Sequence, residues 1–385
     1  MSSKAPSSPA PMAGELARGL AGVVAGRTAI SSLDGDLRYR GYSIGPLAAA
    51  GDFEDVAYLL LYGELPSPAE HAAFTARLQT AAAALPPAAL EALAGLAQHA
   101  PDASPMDALR SGVSILGQLA RDNAPGTRTA QLHQAEQLLG QVPALLAAWM
   151  ELSSGRPVAP WPKQPIAAAL LERLTGRTPP ADHVAAFGTT LVLYAEHEFN
   201  ASTFAARTVV STGSDMHSGI VAAIGALKGP LHGGANEQVL EQLSAIGSPE
   251  RAEPWVNEQF AAKRVVMGFG HRVYKDGDVR ATLLGDICRR MVEGTPAAGL
   301  EDLAGRVEQL MLKAKGLKPN LDWPAARIYH ALGLPIRVFT PIFVVARMSG
   351  WTAHIIEQVG DNRLIRPLSL YCGQPPRPYT PASSR

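Results

Sequence analysis

The stretch Gly229-Pro230-Leu231-His232-Gly233-Gly234-Ala235-Asn236-Glu237 reads as the end of one helix, a tight turn and the start of the next. Pro230 lacks the amide donor a helix interior needs, and Gly233-Gly234 tolerate the backbone angles of a sharp turn. Asn236-Glu237-Gln238 then opens a new helix. The same grammar repeats in both directions. Upstream, Asp215 is a natural N-cap for a helix running to Leu227, and Pro179-Pro180 with Asp182 opens a long helix predicted over 182–210. Downstream, Asp322 precedes Trp323-Pro324 as an N-cap, and the helix it starts is stopped by Gly333. The segment 335–345 leads into an apolar run around 351–356. Near the start, Phe53, Val56, Ala57, Leu60 and Leu61 recur at helical intervals before Gly63 and Pro66 end the pattern. Strand-like alternation is scarce. Only 28–31 and 37–40, separated by Asp34-Gly35, read as a hairpin. The expected fold class is all-α with a minor β-hairpin near the N-terminus.

A chain of 385 residues exceeds one ordinary compact domain, so two domains or one large helical body are expected. It is 47% hydrophobic and 18% charged, as suits a soluble protein with a substantial core. With 34 basic and 34 acidic residues it has no global field to attract nucleic acid or anionic lipid. An anionic substrate must be caught by local arginines. Cys288 and Cys372 are far apart with no CxxC spacing, so two free thiols are expected. Residues 1–13 are rich in Ser, Pro and Ala and lack the apolar core of a signal peptide, so they read as a disordered tail. No apolar run has the roughly 18 residues of a membrane span. A cytoplasmic location is expected.

Several motifs fail. His197-Glu198-Phe199-Asn200-Ala201 begins like a zinc-protease HExxH but has Ala201 at the second ligand. Gly268-Phe269-Gly270 lacks the third glycine and the strand of a dinucleotide fingerprint. No nucleotide P-loop is present, and no spacing supports a metal site. Three other residues are chemically suggestive. His232 sits in a turn before a helix, where the positive end of the dipole disfavours the imidazolium. It is either a neutral hydrogen-bond donor or a capping, packed histidine. His271 follows Gly268-Phe269-Gly270, whose glycines allow backbone to approach a ligand, although loop histidines are common. Asp322 is a cap by default and a general base only if a water-poor pocket raises its proton affinity.

These segments occur in order with others: Leu37-Arg38-Tyr39-Arg40-Gly41-Tyr42, Val56 through Pro66, His197 through Phe204, Tyr329-His330-Ala331-Leu332-Gly333, Phe339-Thr340-Pro341-Ile342-Phe343 and Asn362 through Pro367. From about Leu20 to about Gly373 the chain resembles the citrate synthase family. The resemblance implies a two-domain helical fold. A large domain (14–227 and 327–385) would carry an inserted small domain (228–326), with the active site between them. It implies that His232 hydrogen-bonds the thioester carbonyl of acetyl-CoA, that Asp322 removes the methyl proton and that His271 protonates the oxaloacetate ketone. His197, Arg280, Arg347 and Arg366 would bind oxaloacetate, Arg366 reaching in from the other subunit of a homodimer. Lys275, Lys313 and Lys315 lie where relatives contact CoA phosphates, and the 264–270 backbone where they meet the adenine. No permanently bound cofactor or metal is implied.

The chain departs from the family pattern in three places. Val279 replaces a proline before Arg280, which is expected to loosen that arginine. Asp322-Trp323-Pro324-Ala325-Ala326 replaces Phe-x-Ser-Gly after the aspartate, altering the wall beside it. His217 stands where tyrosine is frequent. Two other functions stay open. One is 2-methylcitrate synthase, using propionyl-CoA with the same chemistry. The other is a catalytically silent scaffold, which predicts loss of at least one of His232, His271 and Asp322.

Overall fold

The computed structural model describes residues 18–20, 22–120, 126–271, 274 and 277–384. The expected tail, 1–13, lies outside the described residues. Sixteen α-helices and one three-stranded sheet occur among the described residues, in agreement with the all-α expectation. The sheet is antiparallel in the order β1 (Ser31–Ser32), β2 (Arg38–Tyr39), β3 (Tyr42–Ser43), with Ser31 opposite Tyr39 and Tyr39 opposite Tyr42. The expected hairpin is therefore a three-strand meander. Arg40 and Gly41, at φ 49° and 90°, turn the chain back at once.

Next come α1 (Ile44–Ala50), α2 (Phe53–Tyr62), α3 (Pro68–Ala83), α4 (Pro87–His99) and α5 (Pro105–Leu119). Asp52 caps α2 and Gly63 ends it in the left-handed region. Ser67 and Glu70 form a reciprocal capping box on α3. After these come α6 (Arg128–Leu152), α7 (Ile166–Thr175), α8 (Ala181–Tyr194), α9 (Ala201–Val210) and α10 (Met216–Leu227), the last capped by Asp215 as expected. The chain continues through α11 (Ala235–Ile246), α12 (Ala252–Ala261), α13 (Val279–Val292) and α14 (Ala298–Lys315). It ends with α15 (Asp322–Ala331) and α16 (Phe339–Gly360). No single helix among the described residues is long and apolar enough to cross a membrane.

The centre of the fold is α16, which packs on α2, α6, α8, α9 and α10. A helix buried all round must be apolar all round, and Phe339 through Ile356 are buried without interruption. Arg347 lies in the middle of that run. Helices α11 to α15 pack largely on one another, and their contacts with the rest include those of α13 with α1 and α8, of α15 with α8 and of α11 with α16.

Three helix starts differ from expectation, and those of α9 and α15 shape the candidate site. The helix predicted over 182–210 is broken at 195–200. The Tyr39 hydroxyl takes the Glu196 N–H at 3.2 Å, Glu198 adopts φ 54°, and Asn200 restarts the chain by capping α9. Tertiary hydrogen bonds thus override a continuous helical pattern. At the upstream end Pro180, not Asp182, occupies the cap of α8, and Asp182 lies in its first turn. Likewise Asp322 is not an N-cap. Leu321 takes that position, Asn320 Oδ1 accepts the Asp322 N–H at 3.1 Å, and the Asp322 carboxylate is left for another partner.

Candidate active site

His232 lies in the turn between α10 and α11, its N–H bonded to the Gly229 carbonyl at 2.9 Å. Gly233 is required here, because a Cβ would collide with the Leu227 carbonyl. The Nε2 of His232 accepts the Ser202 backbone N–H at 3.2 Å and lies 2.8 Å from the Ser202 hydroxyl. That acceptor role places the ring proton on Nδ1. Burial, with Arg347 nearby, lowers its pKa to about 4, so the ring is a neutral donor.

Asp322 is half-buried at the mouth of α15, and its Oδ1 accepts the Tyr194 hydroxyl at 2.6 Å. Burial raises its pKa to about 6, against the lowering effect of that hydroxyl. Phe343 joins the two residues. Its ring centre is 4.3 Å from Tyr194 and 6.5 Å from His232.

His197, in the break between α8 and α9, lies edge-on to His271 with ring centres 5.1 Å apart. The Tyr274 ring stacks on His271 at 4.5 Å, and its hydroxyl meets His197 Nε2 at 3.0 Å. The His271 Nδ1 accepts the Tyr274 N–H at 3.3 Å, which leaves Nε2 to carry its proton. Both pKa values are depressed, first by burial and then by Arg280, so both rings are neutral.

The arginines behave differently from one another. Arg280 is gripped in bidentate fashion by Asp278, with both distances 2.9 Å. The expected loosening at Val279 is not seen, because this side-chain fork, not a proline, fixes Arg280. Arg347 is 2% exposed; its Nε donates to the Tyr194 carbonyl at 2.6 Å and its guanidinium sits 4.8 Å from the Phe343 ring centre. Its Nη1 is buried with no partner. A buried guanidinium N–H without an acceptor is costly, which makes this position a candidate to receive one. The charge of Arg347 is felt by His232, His197 and Asp322 alike. These residues therefore share one locus.

The other expected residues lie apart from this locus. Arg366 is exposed in the extended segment after α16. Lys313 and Lys315 are exposed in the last turn of α14, where Lys315 Nζ lies 4.9 Å from the Phe260 ring centre. Lys275 lies outside the described residues. Segments 264–270 and 316–320 pair through a Phe269–Pro319 bridge next to α15. Trp323 packs on Phe269 and donates to Glu308 at 2.6 Å, so it faces this loop and α14 and not the Asp322 carboxylate. His217 is buried where Gly117 lets α5 approach α10, and nothing in the structure explains the choice of an imidazole there. A cavity of about 490 Å³ lined by Asp278, Val279, Thr282, Lys318, Trp323 and Arg327 borders the site, but none of His232, His271 and Asp322 lines it.

Sequence reading missed Tyr194, Ser202, Asp278 and Phe343 as parts of the site. The Asp-x-Arg spacing at 278–280 was a usable signal for Asp278. Nothing local marks Tyr194, whose partner is 128 residues away.

The family pattern described as "Citrate synthase, C-terminal domain" matches residues 19–368. Citrate synthase 2 of Bacillus subtilis is 42% identical over 370 residues, covering 96% of this chain and 99% of its own. The 2-methylcitrate synthase of Mycobacterium tuberculosis H37Rv is 43% identical over 369 residues, covering 94% and 92%. The citrate synthase of the thermophilic archaeon Thermoplasma acidophilum, solved with carboxymethyl coenzyme A and oxaloacetate, superposes with a TM-score of 0.90 at 32% identity, covering 96% and 99%. Pattern, sequence and backbone agree over nearly the whole length, and the chain belongs to the citrate synthase family.

Proposed function

We propose that this protein condenses acetyl-CoA with oxaloacetate and water to give citrate and CoA. The observation that carries the reading is the unpartnered, buried Nη1 of Arg347, set among two neutral histidines and a carboxyl of raised pKa. Asp322 takes a proton from the acyl α-carbon. The thioester oxygen, gaining charge, accepts from His232 Nδ1–H, where a preorganised donor is most effective. The carbanionic carbon attacks the ketone of oxaloacetate, and His271 Nε2–H delivers a proton to the ketone oxygen. Arg347, Arg280 and His197 hold the dicarboxylate, and hydrolysis of the thioester releases CoA. All three chemical residues are present, which disfavours a silent scaffold.

Relatives of both names are about equally similar, which supports a second reading with propionyl-CoA as donor. One methylene in an apolar pocket discriminates by about 10–200-fold. Oxaloacetate-dependent CoA release, compared as kcat/KM for the two thioesters, is expected to favour acetyl-CoA. A preference for propionyl-CoA would establish the second reading, and release with neither would sink both.

The reading includes a homodimer with Arg366 acting in trans. Exposure of Leu364, Leu368, Leu370, Tyr371 and Tyr379 on the arm that carries Arg366 favours a partner surface. It also includes two domains, 14–227 with 327–385 and 228–326, that close on the substrates and exclude water. Lys275, Lys313 and Lys315 remain the proposed cationic contacts for CoA.

A pH prediction follows from Tyr194. Its hydroxyl donates to the ionised form of Asp322 and so lowers that pKa. Tyr194→Phe is expected to raise it further, moving the acid limb of the kcat/KM profile from about 6 to higher pH. A limb that stays in place would mean Asp322 is not the base being titrated.

A further inference from the structure

We propose that Ser31, Glu196 and His354 form a buried positioning device that sets His197 and Arg347, the two halves of the dicarboxylate pocket, in one geometry. The inference rests on reading that pocket as the oxaloacetate site.

His197 lies in the non-helical break between α8 and α9, a kind of segment with little intrinsic rigidity. Here it is clamped on both sides. The Ser31 hydroxyl donates to Glu196 Oε1 at 2.9 Å and accepts the Glu198 N–H at 3.1 Å. One hydroxyl on β1 thus bonds the residues immediately before and after His197. Glu198 is held at φ 54°, a conformation that non-glycine residues adopt only under constraint.

The second part of the device is charged. His354 Nε2 donates to the same Glu196 oxygen at 2.9 Å, while its Nδ1 accepts from Arg207 at 2.9 Å. Arg207 is tied in turn to Glu357 at 2.7 Å and Gln358 at 3.0 Å. Both Glu196 and His354 are 0% exposed. The other oxygen of Glu196, Oε2, is buried with no hydrogen-bond partner and packs against Gly350, about one turn from Arg347 on α16. Any Cβ at position 350 would collide with it, so α16 is shaped around this carboxylate. A fully buried carboxylate is costly unless opposed by cations. Burial works against its ionisation, but the N–H that His354 donates to it and the charge of Arg347 outweigh it and hold the Glu196 pKa below the usual value. Reciprocally, Glu196 is the largest influence opposing the loss of charge that burial imposes on Arg347. None of the three touches the reacting atoms. They keep the Arg347 charge in place with Nη1 unengaged, and they fix the ring of His197 beside it.

The test varies both substrates in steady-state CoA release. Glu196→Gln changes the centre of a packed network and risks misfolding, so the milder Ser31→Ala carries the experiment, with Ser31→Thr retaining the hydroxyl. Ser31→Ala is expected to raise KM for oxaloacetate about tenfold, as losing the hydroxyl that makes both clamp bonds would, with acyl-CoA KM within about twofold. Ser31→Thr is expected to stay near the parent. The proposal is overturned if Ser31→Ala leaves the oxaloacetate KM within about twofold, raises both KM values alike, or is matched in effect by Ser31→Thr. A parent protein that releases no CoA with oxaloacetate present would instead withdraw the functional reading beneath it.

Discussion

Asp322→Asn is expected to lower kcat by about 10²–10⁴-fold while oxaloacetate affinity stays broadly unchanged. Asparagine keeps the shape of the side chain and can still accept the Tyr194 hydroxyl through its Oδ1, so the wall of Tyr194 and Phe343 has no reason to move. It loses the ability to take a proton. The wild-type carboxyl is suited to that task because burial brings its pKa up to about 6, close to neutral pH yet low enough to be mostly ionised there. Below about pH 6 the wild-type rate is expected to fall as Asp322 protonates, and the residual activity of the asparagine variant should lose that limb. Steady-state CoA release and calorimetric titration with oxaloacetate would check the two halves. A variant that retains kcat but no longer binds oxaloacetate would show that the two substrate pockets had been exchanged.

Arg347→Ala should produce the opposite pattern. Removing one member of a buried, hydrogen-bonded charge pair costs about 2–5 kcal/mol, which corresponds to a loss of oxaloacetate affinity of about 30-fold to several thousand-fold. Arg347 is fully enclosed in α16, and its unpartnered Nη1 is the strongest indication of an anion-binding position. The substitution also removes a charge that helps keep Glu196 ionised, so a control on folding is needed. Arg347→Lys keeps a charge but not the planar fork, and is expected to bind between the alanine variant and the parent. Calorimetric titration separates the effect on oxaloacetate from any on acyl-CoA. Wild-type-like oxaloacetate binding in Arg347→Ala, with the fold intact, would remove the anion pocket from this location.

The two variants divide the site as its geometry does. Asp322 and His232 are joined through Tyr194 and Phe343 on one side, and His197 and His271 meet through Tyr274 on the other. Arg347 acts on both sides through its charge, being felt by His232, His197 and Asp322.

From residue order alone, the helical class, the cap at Asp215, the stop at Gly63 and the turn around His232 were all legible. Each depends on backbone preferences that act within a few residues. His232, His271 and Asp322 could also be named, but only through the family resemblance, since each read locally as a cap or a loop histidine. Tertiary structure decided the rest. The break at 195–200 defeats a helical pattern because Tyr39 and Ser31, far away in the chain, claim the backbone donors of Glu196 and Glu198. The Asp322 carboxylate does not cap its helix: Asn320 accepts the Asp322 N–H, and the carboxylate meets Tyr194 instead. Proton affinities follow from burial and from charges brought together by folding, and no spacing along the chain encodes either.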